Sequence, residues 1–244
     1  MPPPPLTFTH PIQFGQDPLH NGQPQRRRNK QPTKGCTLGL YNIRDGHNSA
    51  LAIAARSFQQ GRYDVVIAVE TKISNEIYPK TMLGYHITCS KASTNNQGGV
   101  ALFVRDAPKE FHIESTRFHG PNVLSCILVQ GDSRMPIVGA YLPPSTLDHL
   151  PDFEQAMERF SNYPNVTVLG DFNANIYDLA NLRNQTIANC FSNYGLLDLL
   201  AHFKQRYRYR DHSTWFQVRE GTLVKSRCDY ILGTDRRLFE KVGL

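Results

Sequence analysis

The 244-residue sequence has no run of about 18 apolar residues, so no helical membrane span is expected. It opens Met-Pro-Pro-Pro-Pro, without the apolar stretch of a secretory signal. Cysteine is sparse: Cys36, Cys89, Cys126, Cys190 and Cys228 are five in number, with no pair at C-x-x-C spacing. An odd, scattered set argues against a structural zinc site and against a disulfide framework. Each cysteine reads instead as a small buried hydrophobe, and the chain is expected in a reducing compartment, nucleus or cytoplasm. Repeats at a solenoid period are absent as well.

Hydrophobic residues make up 40% of the chain and charged ones 20%, enough apolar material for one substantial core. The net charge of +6 is unevenly spread. Residues 1–35 carry Arg26, Arg27, Arg28, Lys30 and Lys34 against Asp17 alone, a net of +4, and eight of the 16 prolines. The rest holds 22 basic and 20 acidic residues. Residues 1–35 are therefore expected to be a disordered, Pro-rich basic leader, and residues 36–244 a folded domain. Such a leader either attracts a polyanion, nucleic acid being the commonest, or is simply solvated.

Strands are expected over Thr37–Asn42, Asp64–Val69, Gly99–Arg105 and Asn165–Leu169. Leu124–Gln130 and Pro136–Tyr141 read as a hairpin about Gly131-Asp132-Ser133. Tyr207–Tyr209, Thr214–Val218 and Cys228–Leu232 are further candidates. A helix is expected from Asn48 or Ser49 to Gln60, with Leu51, Ala54, Ala55 and Phe58 on one face. Others are expected over Asp152–Phe160 and Asn184–Asn193, the latter stopping at Gly195. Strands outnumber helices, which implies a sheet core with helices outside.

Several strands end in polar side chains: Asn42, Glu70 after Val-Val-Ile-Ala-Val, and Asp171 and Asn173 after Val-Thr-Val-Leu-Gly. Asp229 lies within Ser-Arg-Cys-Asp-Tyr. A carboxylate at a strand end is rigidly held beside water, a placement that suits a hard cation. An extended chain would also point Asn173 the same way as Asp171.

The ordered motifs are Asn42, Val69-Glu70-Thr71, Gly98-Gly99-Val100-Ala101, Tyr141-Leu142-Pro143-Pro144, Gly170-Asp171-Phe172-Asn173-Ala174, Ser213-Thr214-Trp215 and Ser226-Arg227-Cys228-Asp229-Tyr230. Together they resemble the endonuclease/exonuclease/phosphatase superfamily, most of all the apurinic-endonuclease-like domain of LINE-type (non-LTR) retrotransposons. The likeness runs from about Thr37 to Leu232. It implies an α/β fold, a four-layer α/β sandwich of two packed, mainly antiparallel sheets flanked by helices. It implies that Glu70 holds Mg²⁺ or Mn²⁺ and that Asp171 orients or deprotonates the attacking water. Asn173 would donate to a phosphate oxygen or the water, and Asn42 would lie near the metal or phosphate. Tyr141 would lie near the scissile phosphate, Thr214 on a surface next to the site, and Asp229 beside a catalytic His.

In the resembled family that His arrives in a terminal Ser-Asp-His, and none occurs here. All nine histidines precede Asp229. The expectation is a chain that stops short of the family's last strand. Arg44 stands where DNA-repair relatives carry an acidic residue, which tilts the resemblance toward mobile elements. Arg206-Tyr207-Arg208-Tyr209-Arg210 alternates with period two. As a strand it would present Arg206, Arg208 and Arg210 either to a nucleic-acid backbone or to solvent over a Tyr-lined core.

The function implied is metal-dependent nicking of one DNA strand to leave a 3′-hydroxyl. Two others stay open: an inactive remnant that at most binds nucleic acid, and a phosphoesterase acting on RNA or small phosphoesters. The expected partner is DNA, without a membrane, for a monomeric chain.

Overall fold

The computed structural model describes residues 35–44, 48–73, 78–92, 98–106, 111–204, 214–219 and 222–239. Apart from Gly35 the basic leader lies outside these residues, and so do Tyr207–Tyr209, Arg206, Arg208 and Arg210.

The elements run β1 (Leu38–Asn42), α1 (Asn48–Gln60), β2 (Val65–Val69), β3 (Thr81–Met82), β4 (Tyr85–Cys89), β5 (Val100–Arg105), β6 (His112–Phe118), β7 (Val123–Gln130) and β8 (Ser133–Tyr141). They continue α2 (Leu150–Glu158), β9 (Thr167–Asp171), α3 (Leu182–Asn193), β10 (Leu197–Asp198), α4 (Leu199–Lys204), β11 (Trp215–Arg219), β12 (Thr222–Ser226) and β13 (Asp229–Gly233). One sheet has the order β1-β2-β5-β4-β3, a second β10-β13-β9-β8-β7-β6, and β11-β12 is a separate hairpin. Both large sheets are mainly antiparallel, with β1-β2 and β8-β9 the parallel pairs.

Side-chain parity builds the layers. In β2, Val65, Ile67 and Val69 face a core shared with Leu38 and Leu40 of β1 and with Leu124, Ile137, Leu169 and Ile231 of the second sheet. Val66 and Ala68 face the other way, onto Leu51, Ala54, Ala55 and Phe58 of α1. In the second sheet Val138, Val168 and Leu232 turn outward to Phe153 of α2 and Ile187 and Phe191 of α3. Alternate residues serve opposite faces of a strand, so two sheets with helices outside bury both faces of each. The result is the expected four-layer α/β sandwich.

Local chemistry explains the boundaries. α3 begins two residues before the expected start, because the Asn181 side chain accepts from the Arg183 and Asn184 N–H groups. It ends as expected at Gly195, with φ +64. Gly195 N–H donates to Ser192 O at 3.0 Å and Leu196 N–H to Phe191 O at 2.9 Å, a Schellman closure. β8 extends back to Ser133 and includes Pro136, whose missing N–H is tolerated because pairing with β9 starts at Ile137.

Candidate active site

Continuing the inward parity of each strand past its apolar residues leads to one place. Asn42 follows Leu38 and Leu40, Tyr141 follows Ile137, Asp171 follows Leu169, and Asp229 precedes Ile231. All four lie on the inter-sheet face. Across the second sheet Asp171 stands opposite Tyr141 on β8 and opposite Asp229 on β13. Three neighbouring strands therefore contribute one polar row at the mouth of the inter-sheet core.

The first sheet closes the row. Asn42 Nδ2 donates to Glu70 Oε1 at 2.7 Å and to Asp171 Oδ2 at 3.0 Å, so one amide joins both sheets through two carboxylates. Glu70, directly after β2, has φ +53, and Lys72 has φ +51. These left-handed residues lift the chain off the sheet, a strained conformation that needs support. Gly98 and Gly99, with φ +83 and +89, supply it: Lys72 N–H donates to Gly98 O at 2.9 Å and Thr71 N–H to Gly99 O at 3.3 Å. A side chain at Gly99 would collide with the Thr71 hydroxyl, and one at Gly98 with Asn122. The Gly-Gly pair thus shapes the Glu70 loop.

Asn173 departs from its expected geometry. Its φ is +46, and its N–H turns back to Asp171 Oδ1 at 3.0 Å. The chain folds into a tight turn instead of continuing extended, because the Asp171 carboxylate offers a closer acceptor than a strand partner. The Asn173 side chain still reaches the row, donating to Leu142 O at 3.1 Å and hydrogen-bonding the Tyr141 hydroxyl. Thr214 Oγ1 accepts from the Cys228 and Asp229 N–H groups at 2.9 and 3.1 Å, and its hydroxyl also bonds the Asp229 carboxylate. It steadies the start of β13.

Crowded carboxylates in a dry place resist ionisation. Burial pushes Asp171 up to about 6, helped by the charge of Glu70 and opposed by the Asn173 N–H and the Asn42 amide. Asp229 is raised well above the carboxylate range by burial and by Asp171. Burial, then Glu70 and Asp171, raises Tyr141 beyond the ordinary tyrosine range, so its hydroxyl stays a proton donor.

The structure brings together Asn42, Glu70, Tyr141, Asp171, Asn173, Asp229 and Thr214. Two contributors escaped the sequence reading. Asn122, fully buried, accepts from Gly99 N–H at 2.8 Å through Oδ1 and from Tyr141 N–H at 2.9 Å through its carbonyl. Arg183, at the start of α3, donates to carbonyls of the loops after β8 and β9. Neither sits in a motif, and only the through-space contacts reveal them.

The model of the Endonuclease/Exonuclease/phosphatase family matches residues 39–243. The chain belongs to that family. Its members are hydrolases, nucleases and phosphatases, that generally work with divalent metal ions. No curated protein matches the sequence. Among solved structures, the family fold here is similar to the endonuclease domain of TRAS1, a telomere-specific non-LTR retrotransposon, at 15% identity and TM-score 0.58, over 81% of this chain and 84% of that one. It is similar to an AP endonuclease from Archaeoglobus fulgidus at 17% identity and TM-score 0.56, over 81% and 86%. It also resembles the 3′ phosphatase NExo from Neisseria, solved with a product DNA hairpin, at 19% identity and TM-score 0.57, over 81% and 86%. At such identities the likeness concerns the fold of this family. Among the described residues no helix is long and apolar enough to cross a membrane.

Proposed function

We propose that this site hydrolyses the phosphodiester backbone of DNA, nicking one strand to leave a 3′-hydroxyl and a 5′-phosphate. The observation that carries the reading is the row Tyr141–Asp171–Asp229 joined to Glu70 through the single amide of Asn42. Phosphodiester hydrolysis needs an oriented water, neutralisation of charge on the non-bridging oxygens, and support for the leaving oxygen.

The donor set fits a hard divalent ion. Glu70 and Asp171 offer carboxylate oxygens within 3.0 Å of one amide nitrogen. Among the described residues no group of three or more His, Cys, Asp or Glu ligands occurs. A sparse oxygen set suits Mg²⁺ or Mn²⁺, which keep water and substrate phosphate as their remaining ligands. Glu70, with Asn42 beside it, would hold the ion, which when bound supplies positive charge against the transition state. Asp171 accepts the proton of the attacking water as the P–O3′ bond breaks, and the departing O3′ takes up a proton from solvent to become the 3′-hydroxyl. Asn173 and the protonated Tyr141 donate to the phosphate oxygens. Asp229, bonded to Thr214, has no imidazole partner among the described residues.

The test is supercoiled-plasmid nicking in Mg²⁺ by the wild type and by Asp171→Ala. The expected result is nicked circles with 3′-hydroxyl ends, reduced at least about 10²-fold in the variant. A 3′ phosphatase is among the similar folds, so RNA, 3′-phosphate-ended DNA and small phosphoesters run in parallel. Turnover of those alone, with intact plasmid, would replace the nicking reading by a phosphoesterase. Inactivity toward all of them would leave an inactive remnant that at most binds nucleic acid.

A further inference from the structure

Arg183 is a half-buried cation whose side-chain hydrogen bonds, among the described residues, go to main-chain carbonyls of the two loops that carry the site, with the charges of Asp171 and Tyr141 near enough to act on it. Nη1 donates to Thr146 O at 2.6 Å, Nη2 to Phe172 O at 3.2 Å and to Leu142 O at 3.5 Å, and Nε to Asn173 O at 3.5 Å. Thr146 and Leu142 belong to the loop after β8, directly beyond Tyr141. Phe172 and Asn173 belong to the turn after β9, directly beyond Asp171.

The two loops meet at the Leu142 peptide. Leu142 N–H donates to Asp171 O at 2.9 Å, and Leu142 O accepts from the Asn173 side chain at 3.1 Å. Arg183 holds the same junction through its own bonds to Leu142 O, Phe172 O and Asn173 O. Its own position is set by the first turn of α3, where Asn181 accepts from the Arg183 and Asn184 N–H groups. Asn184 in turn accepts from Asn175 N–H at 3.2 Å and donates to Asp178 O at 3.1 Å. The helix start is thus a bracket over the 173–178 segment, with Arg183 as its forked end.

We propose that Arg183 is a positioning residue, a latch that holds Tyr141 on one loop and Asp171 and Asn173 on the other in a single geometry. The role rests on the hydrolase reading of this site. A guanidinium is suited to it: its planar fork presents five N–H donors in fixed directions, whereas a lysine ammonium is a point charge on a flexible stem. Carbonyls of two separate loops can be gripped together only by the fork. Misplacement of reacting groups by about 1 Å can lower a rate by about 10²-fold, with the groups themselves intact.

The full 244-residue chain is compared as wild type, Arg183→Lys and Arg183→Ala, by two readouts. The first needs no turnover: amide hydrogen exchange at Asn173 and Leu142, with β7 amides as the internal reference. Exchange at those two positions should quicken about 10-fold in both variants while β7 is unchanged, the mark of local opening. The second is Mg²⁺-dependent hydrolysis of the best substrate. Here kcat should fall about 10²-fold in both variants with KM within about 2-fold. Millimolar guanidinium should partly restore Arg183→Ala.

Unchanged exchange at Asn173 and Leu142 would overturn the latch. So would equal quickening in β7, which means global destabilisation, or full activity of Arg183→Lys, which means that charge alone matters. A rise in KM with kcat preserved would make Arg183 a substrate contact instead. If the wild type hydrolyses nothing, the hydrolase reading fails by itself, and the exchange experiment still decides whether Arg183 latches the loops.

Discussion

Asp171, buried, and Asp229, half-buried, face one another across paired strands, with Glu70 close by. The arrangement is costly to the folded chain when ionised, and the sign of the cost sets a test. The Asp171 carboxyl is raised from 3.8 to about 6 on folding. Between those values the folded chain binds more protons than the unfolded one, so this site's contribution to stability falls as pH rises through the window and stays low above it. His119 works in the opposite direction. It is buried between Gln155 and Ser125, and burial lowers its pKa, so it loses stability as pH falls. Comparing Asp171→Asn with wild type isolates the carboxylate. Without divalent ions the variant should be more stable at pH 7.5 by on the order of 1–3 kcal/mol, and the difference should vanish near pH 4, as read from urea unfolding. A variant no more stable than wild type at pH 7.5 would mean that Asp171 is not strained in the fold. The presence of acids at these strand ends was legible in the sequence. That they serve one site follows from the family resemblance; the hydrogen bonds that join them do not, because Asn42 and Asp171 are 129 positions apart.

Strands that serve two cores are recognisable from their runs of β-branched residues, as in Val65–Val69. β6 and β4 were not recognised. β4 alternates buried and exposed residues through Tyr85, Ile87 and Cys89, and β6 is an edge strand, largely exposed, with a register shift after Glu114 where Ser115 has φ +54. The polar edge of β6 lacks the periodic signal that a buried strand carries, whereas β4 shows it over only five residues. Between the two sheets, Gly139 of β8 faces Ile67 of β2. A Cβ at Gly139 would lie 2.7 Å from Ile67 Cγ2 and 3.3 Å from Leu124 Cγ. Gly139→Ala should therefore overpack the inter-sheet core and destabilise by about 1–3 kcal/mol, with a lower urea midpoint and an unchanged m-value. Because Tyr141 is two residues further along the same face, hydrolysis should fall as well. An Ala variant as stable as wild type would show that the sheets can part at no cost.

Charge is unevenly distributed across the whole molecule. Residues 36–244 hold 22 basic and 20 acidic residues, whereas residues 1–35 carry a net +4. If that leader neutralises about four phosphates, log K for duplex DNA should fall with log salt at a slope near −4, and deleting residues 1–35 should flatten the slope. The deletion should leave the rate at saturating DNA unchanged, and an unaltered slope would remove the leader from the interface. What the sequence determined by itself is local. Continuous β-branched runs marked the buried strands, Gly195 ended a helix, and the polar residues at strand ends marked the candidate site, because runs, turns and caps depend on neighbours in the chain. The tertiary structure decided the rest. It set Asp229 opposite Asp171, stretched the Asn42 amide between two carboxylates, turned Asn173 back on Asp171, and closed Arg183 over two loops. Each of these depends on strand register or on contacts between separate elements, and the free energies of desolvation and hydrogen bonding that select them exist only once the sheets have packed.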